Sequence, residues 1–254
     1  MLAPLPFSAL PALCDDTPRV CPVCGAPHPH LLGHKDFGAS CNDFFIDART
    51  YPDYGVPVPY FQCGACRFAF TNSFDTWSNA QIKEHIYNAE YVKSDPPFAH
   101  TRPQANAGML SQMFLRDVDT LEFLDYGAGL GLTAQALREK GFRAQAYDPF
   151  FDASEFPSGL FDVILAFEVI EHVRPSEQLA WLNTVAGLLD TKRSAQILVS
   201  TDIDDINALA RWYIAPRNGH VSIHSAQSLQ CLAQQAQLSC LSLSSSLHVL
   251  KRTR

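Results

Sequence analysis

From about Trp77 onward, apolar residues recur with two alternating periods, one near 3.6 and one of short unbroken runs. "SNAQIKEHIYNAEYV" places Ile82, Ile86 and Ala89 at helical spacing behind Ser78, an N-cap residue, and a second helix is expected from about Gln104 to Arg116. "LEFLDYG" is a short apolar run that suits a buried parallel strand. "LTAQALREK" follows as a helix closed by Gly141, and "FRAQAYD" alternates toward Asp148, which completes a β-α-β unit. Further on, "FDVILAFE" reads as a strand. "PSEQLAWLNTVAGLLD" carries Leu179, Leu182, Val185 and Leu189 on one helical face, and "AQILVSTDI" is the next buried strand. "SAQSLQCLAQQAQ" is a helix capped by Ser225, and "LSCLSLSSSLHVLKR" fits two closing strands joined by a tight bend. Strands alternating with helices predict an α/β fold with a doubly wound sheet.

Residues up to about Phe74 follow another grammar, rich in Cys, Pro, Gly, His and aromatics and without a long period. The shift predicts a module over residues 1–75 and a second domain over 76–254, with residues 76–118 as a helical cover. Residues 63–66 lie within "PYFQCGACRFAF", which reads as a strand hairpin.

A hydrophobic fraction of 47% against 18% charged residues suits a folded chain, and no apolar run approaches the ~20 residues a membrane span needs. The apolar start "MLAPLPFSALPALC" lacks a basic region and is broken by prolines, so a cytoplasmic protein is expected. A net charge of −7 with scattered basic residues makes nucleic acid an unlikely partner and favours a small molecule. Oligomeric state is left open by the sequence.

Eight cysteines in a reducing compartment direct attention to metal rather than disulfides. "CPVCG" and "CGAC" supply Cys21, Cys24, Cys63 and Cys66, two C-x-x-C knuckles separated by 38 residues. Each knuckle presents two thiolates on one side of a turn that Gly25 and Gly64 can relax, and two knuckles complete a four-thiolate zinc site. Four protein ligands leave no open position, so the zinc is expected to be structural. Cys14, Cys41, His28, His30 and His34 are nearby substitutes for a ligand.

Gly127, Gly129 and Gly131 form a turn between the first strand and helix of the β-α-β unit, with Asp125 before it and Asp148 at the tip of the next strand. A dinucleotide turn leaves its helix N-terminus free for pyrophosphate. Asp125 adds negative charge there, which favours an ammonium or sulfonium ligand over a phosphate.

"LDYGAGLG", "AYDP" and "FDVILAFEVIEHV", in this order, resemble the class I S-adenosylmethionine-dependent methyltransferases. The resemblance implies a Rossmann-like sheet, mostly parallel with an antiparallel last strand, preceded here by a small zinc-ribbon-like domain. It implies that Gly127, Gly129 and Gly131 lie under the methionine part of S-adenosylmethionine, that Asp125 orients its amino group through the loop, and that Asp148 accepts from the ribose hydroxyls. Pro149 and Phe150 would lie against adenine, and Glu168 would face the methionine side. Tyr87, Tyr91 and Arg102 are candidates for a cover over the cofactor, Arg102 for its carboxylate. The family fits a helix and a third strand after the ribose acid, but "PFFDASEFPSGLF" leaves room for little beyond a loop, so a narrower sheet is expected and Asp152 is a weak candidate for the adenine amine.

Methyl transfer to a hydroxyl or a C–H also requires removal of a proton, for which a near-neutral histidine is the natural base. "EVIEH" brings Glu171 and His172 just after a strand end that faces the cofactor, and "WYIAPRNGHVSIHS" brings His220 and His224 from a loop. His172 or His220 is the expected base, with His224 capping the next helix. Arg211, Trp212 and Tyr213 are candidates for an acceptor wall. The expected activity is methylation of an oxygen or carbon on a small molecule; a non-catalytic scaffold whose zinc module binds protein or RNA, and an NAD oxidoreductase, are the alternatives. A zinc module ahead of such a core also resembles sugar C-methyltransferases, a group whose extra C-terminal domain is not expected from this sequence.

Overall fold

A computed structural model of the chain describes residues 10–14, 16–151, 155–191, 195–203 and 214–253. Strands and helices alternate as the periodicity demands. The larger sheet contains β4 (Glu122–Tyr126), β5 (Arg143–Tyr147), β6 (Val163–Phe167), β7 (Gln196–Ser200), β9 (Leu238–Ser242) and β10 (Leu247–Arg252), in the order β5-β4-β6-β7-β10-β9. Pairs β4/β5, β4/β6 and β6/β7 are parallel, whereas β10 runs antiparallel to both β7 and β9. β5 is the edge, which agrees with the narrow sheet expected from the short stretch after Asp148.

The strand pleat sends alternate residues to opposite faces. Phe123, Val163 and Leu165 meet α4 (Thr101–Met113) and α5 (Leu132–Glu139) through Ala107, Leu110 and Leu137. On the other face Leu124, Ile164 and Ile197 meet α6 (Gln178–Gly187) and α7 (Ala226–Gln235) through Leu182, Val185, Leu229 and Leu232. Ser225 caps α7 by accepting the Ser228 amide at 3.0 Å, as expected.

The smaller sheet has the order β1-β2-β3-β8, from β1 (His30–Asp36), β2 (Pro57–Gln62), β3 (Ala69–Phe70) and β8 (Ser222–Ile223). The β2–β3 pair is the hairpin anticipated around the second knuckle. β8 comes from far along the chain and pairs Ile223 with Ala69 and Ser222 with Phe70. Cys21, Val23, Cys63, Phe68 and Phe70 belong to the same apolar cluster as Leu182 and Leu229. The compositional change near residue 75 is therefore bridged by a strand and by a continuous core.

The helix expected over "SNAQIKEHIYNAEYV" is broken into α2 (Asn79–His85) and α3 (Tyr91–Ser94). Ser78 is its N-cap, but Asn88 stops it: the side-chain amide donates to the Glu84 carbonyl at 2.7 Å and its oxygen accepts the Glu90 amide at 3.0 Å. Such local bonds compete with the helical ladder. α4 starts earlier than Gln104 because Pro103 sits in its first turn, where no amide proton is required. A short α1 (Cys41–Ile46) follows β1.

Candidate functional site

The two cysteine knuckles converge. Cys21 and Cys66 sulfurs lie 3.7 Å apart, Cys24 and Cys63 sulfurs 3.5 Å apart, and all four within 4.8 Å of one another. A tetrahedron with metal–sulfur bonds of about 2.3 Å has edges of about 3.8 Å, so the set fits a zinc ion, while a disulfide would need sulfurs about 2.0 Å apart. The hydrogen bond from Cys66 pulls the Cys21 thiol down to about 5 against the opposing effect of burial. Gly25 has a φ of 72°, whereas Gly64 is not in the left-handed region. In both knuckles that conformation falls on the residue after the second cysteine, which is Arg67 (φ 63°) in the second. The proposed substitute Cys41 is elsewhere, its sulfur 3.8 Å from His220 Nδ1.

At the carboxyl ends of β4, β5 and β6 lies a cavity of about 470 Å³. Gly127, Gly129 and Gly131 have φ of 81°, 54° and 71°. A Cβ on Gly127 would lie 2.5 Å from Val169 Cγ2, so the turn has no room for a side chain there. Asp148 is buried and holds the turn: Oδ2 accepts the Gly129 amide at 2.8 Å, and Oδ1 accepts those of Phe150 (2.7 Å) and Phe151 (3.1 Å).

Asp125 is 5% exposed, and its Oδ2 has no hydrogen-bond partner among the described residues. Burial pushes its carboxyl up to about 7. Glu168 sits in a left-handed conformation (φ 54°) in which its amide reaches the Ser200 carbonyl at 2.9 Å and its Oε1 accepts the Ser200 hydroxyl at 2.7 Å. Burial raises the Glu168 pKa, and Arg102 opposes that.

The cover residues do line the cavity. Tyr87 packs against Phe150 (5.0 Å between ring centroids), Phe151 (5.7 Å) and Tyr91 (5.2 Å). Arg102 is held by Asp95 through two bonds of 2.7 and 2.9 Å, so its guanidinium already faces a carboxylate within the protein. Phe98 meets Tyr91 edge-on and Phe151 at a tilt, and covers Gly129, whose Cβ would lie 2.5 Å from its ring. Pro149 is also part of the wall.

His172 and His220 face one another with ring centroids 4.7 Å apart at 73°, and the ligating atoms of Glu171, His172 and His220 all lie within 4.8 Å. Both histidines line the cavity, while Glu171 is fully buried behind them. Burial, followed by the proximity of His220, lowers the His172 pKa well below the ordinary histidine range, so its ring is neutral near pH 7. A neutral imidazole offers a lone pair that can take a proton. His224 instead contacts Ser228 Oγ (3.0 Å) and Gln178 Oε1 (3.2 Å) in the interior, beside the cap of α7. Asp152, Arg211, Trp212 and Tyr213 lie outside the described residues.

Asp95, Phe98, Phe151 and Cys41 were not singled out as cavity residues by the sequence. Only Asp95 had a readable signal, an acid seven positions before Arg102. The others reach the cavity through tertiary packing alone.

A family model described as "Methyltransferase domain" matches residues 98–243. Comparison with curated protein sequences gives no match. Among solved structures, the chain is similar to the 1,6-didemethyltoxoflavin-N1-methyltransferase of Burkholderia thailandensis with bound 1,6-didemethyltoxoflavin and S-adenosylhomocysteine. Identity is 14% over 78% of this chain and 96% of that one, with a TM-score of 0.52. It is likewise similar to the mitomycin 7-O-methyltransferase MmcR, at 14% identity over 72% of this chain and 63% of that one and a TM-score of 0.52. At these identities the likeness establishes a shared fold. No helix among the described residues is long and apolar enough to cross a membrane.

Proposed function

This chain belongs to the methyltransferase-domain family, and on that premise we propose that it moves the methyl group of S-adenosylmethionine to an oxygen or carbon of a small-molecule acceptor. The observation that carries the reading is Asp125, a buried carboxyl with one unpartnered oxygen beside a glycine turn that a side chain would fill. A phosphate would meet this carboxylate with repulsion, whereas an ammonium or sulfonium group compensates it.

S-adenosylmethionine supplies an activated methyl group on a positively charged sulfur. The chain's own residues would seat it as follows. Gly127, Gly129 and Gly131 give backbone room under the methionine part, and Asp125 orients the amino group. Asp148 already accepts three amides, two of them on Oδ1, so about one acceptor direction on Oδ2 is left for a ribose hydroxyl. Pro149 and Phe150 lie against adenine, Tyr87 and Tyr91 close the cavity from the cover, and Glu168 stands at the methionine side. Arg102 would meet the cofactor carboxylate only by sharing its guanidinium with Asp95.

On the acceptor side, His172 or His220 takes the proton from the attacking group, with Glu171 behind the pair. Aligning acceptor and methyl group contributes several kcal/mol, roughly, to lowering the barrier. The four-cysteine cluster holds structural zinc in this reading, since its closed ligand set leaves no position for a substrate. Calorimetry with S-adenosylmethionine, S-adenosylhomocysteine and NAD tests the cofactor assignment. Binding of the first two is expected, and binding of NAD alone overturns the reading.

A further inference from the structure

The loop that carries His220 is held from both sides. Val221 donates its amide to the Glu171 carbonyl at 2.8 Å, which ties the loop to the residue before His172, the other member of the histidine pair. On the far side Arg217 donates to the Ile86 carbonyl at 2.9 Å and Asn218 Nδ2 to the Ser94 carbonyl at 3.2 Å, and further ties come from the cysteine-rich segment. The Val221 carbonyl accepts the Thr71 amide at 2.8 Å, the His220 carbonyl accepts the Tyr60 hydroxyl at 2.7 Å, and Asn218 Oδ1 accepts the Cys41 amide at 2.9 Å. The Cys41 sulfur then lies 3.8 Å from His220 Nδ1, within hydrogen-bonding range for sulfur, and lines the same cavity.

A histidine with one nitrogen committed to a partner has its other nitrogen's protonation decided by that partner. Cys41 is 4% exposed and faces Asp95 and Glu168 across the cavity. Burial and those two carboxylates, with Glu171, raise its pKa well above the ordinary thiol value against the opposing charge of Arg102, so the sulfur keeps its proton. An S–H group that donates to Nδ1 makes that nitrogen the acceptor and puts the ring proton on Nε2.

We infer that Cys41 is a positioning residue for His220: its thiol donates to Nδ1 and, with the Tyr60 hydroxyl on the adjoining carbonyl, fixes the tautomer and orientation of the imidazole. The cysteine-rich segment thereby completes the acceptor chamber instead of serving as a detached docking module. The inference rests on the reading of His220 as part of the acceptor chemistry, but its geometry is independent of which methyl acceptor is used. It also assigns Tyr60, buried and remote from the metal ligands in function, a backbone-fixing part in the same device.

The test is nitrogen NMR of the full, metal-loaded chain labelled at histidine, comparing wild type with Cys41→Ser, Cys41→Ala and Tyr60→Phe. Wild type and Cys41→Ser are expected to show His220 as a single Nε2–H tautomer. Cys41→Ala is expected to raise the share of the Nδ1–H tautomer of His220, while the His248 and His224 signals stay in place. Once an acceptor is known, Cys41→Ala should lower kcat about tenfold with an unchanged KM for S-adenosylmethionine, and Cys41→Ser should recover most of the loss. A wild-type ring protonated on Nδ1 overturns the inference, and should Cys41→Ala not fold, that measurement decides alone. A Cys41→Ala protein that loses thermal stability yet keeps the wild-type tautomer also overturns it, because the thiol would then be mere packing. Calorimetry on wild type separates the two levels: failure to bind S-adenosylmethionine removes the methyltransferase reading and leaves the tautomer result standing.

Discussion

Asp148 Oδ2 accepts the Gly129 amide at 2.8 Å, so the acid at the tip of β5 fastens the glycine turn that follows β4. One carboxylate thus serves as brace for the turn and, in the proposed function, as acceptor for the ribose. Asp148→Ala leaves three amides without an acceptor. We expect S-adenosylmethionine binding by calorimetry to weaken at least about tenfold, equivalent to roughly 1.4 kcal/mol, with a lower Tm. Unchanged affinity would show that the acid is a brace alone.

Asp125 connects stability to pH. Its folded-state pKa of about 7 is above the ~3.9 of an unfolded aspartate, so the folded chain binds the extra proton between these values. Its stabilising contribution is full below about pH 4 and is lost as pH rises through 7, an effect on the order of a few kcal/mol at most. A bound ammonium reverses the preference by favouring the carboxylate. Cofactor binding near pH 6.5 should therefore release a proton, measured as a dependence of calorimetric heat on buffer ionisation, and Asp125→Asn should abolish that release.

Gly129→Ala places a Cβ at φ 54° and 2.5 Å from the Phe98 ring. The combined backbone strain and overlap predict a loss of roughly 1–3 kcal/mol in denaturant unfolding. Phe98→Ala added to it should restore part of the loss, since the overlap disappears and the strained φ does not. Full restoration would mean that the backbone term is negligible.

His172→Ala and His220→Ala should both lower turnover with little change in cofactor affinity, and whichever removes the base should do so by about 10² to 10⁴. Normal rates in both single variants would end the assignment of either histidine to proton removal.

Mass spectrometry under native conditions should find one zinc per chain. Cys63→Ser removes a buried thiol of the proposed site and should yield protein without metal and with a much lower Tm, since binding of a structural zinc is coupled to folding. Wild-type protein that is metal-free and equally stable would contradict a structural zinc.

The β-α-β unit was legible because its signals are local: glycines that need φ above zero, an acid at each strand tip and a clean helical stripe between them. The two knuckles were legible for the same reason. β8 was not, because Ser222 and Ile223 are too few to show a period of two, and their partner Phe70 is about 150 positions away. The stop in α2 depended on how one asparagine side chain spends its hydrogen bonds. Arg102 was a candidate for the cofactor carboxylate, and its pairing with Asp95, seven positions earlier, went unread although both residues are close in sequence.

β8 makes two stretches that differ in composition interdependent. Excising residues before Trp77 would strip β8 of β3, its partner in the smaller sheet, and remove Phe70 from the apolar cluster that also holds Leu182 and Leu229. Neither part could then be transplanted onto another scaffold without carrying the other along, and gain or loss of the cysteine knuckles in related chains would have to be accompanied by rebuilding of the loop that carries His220.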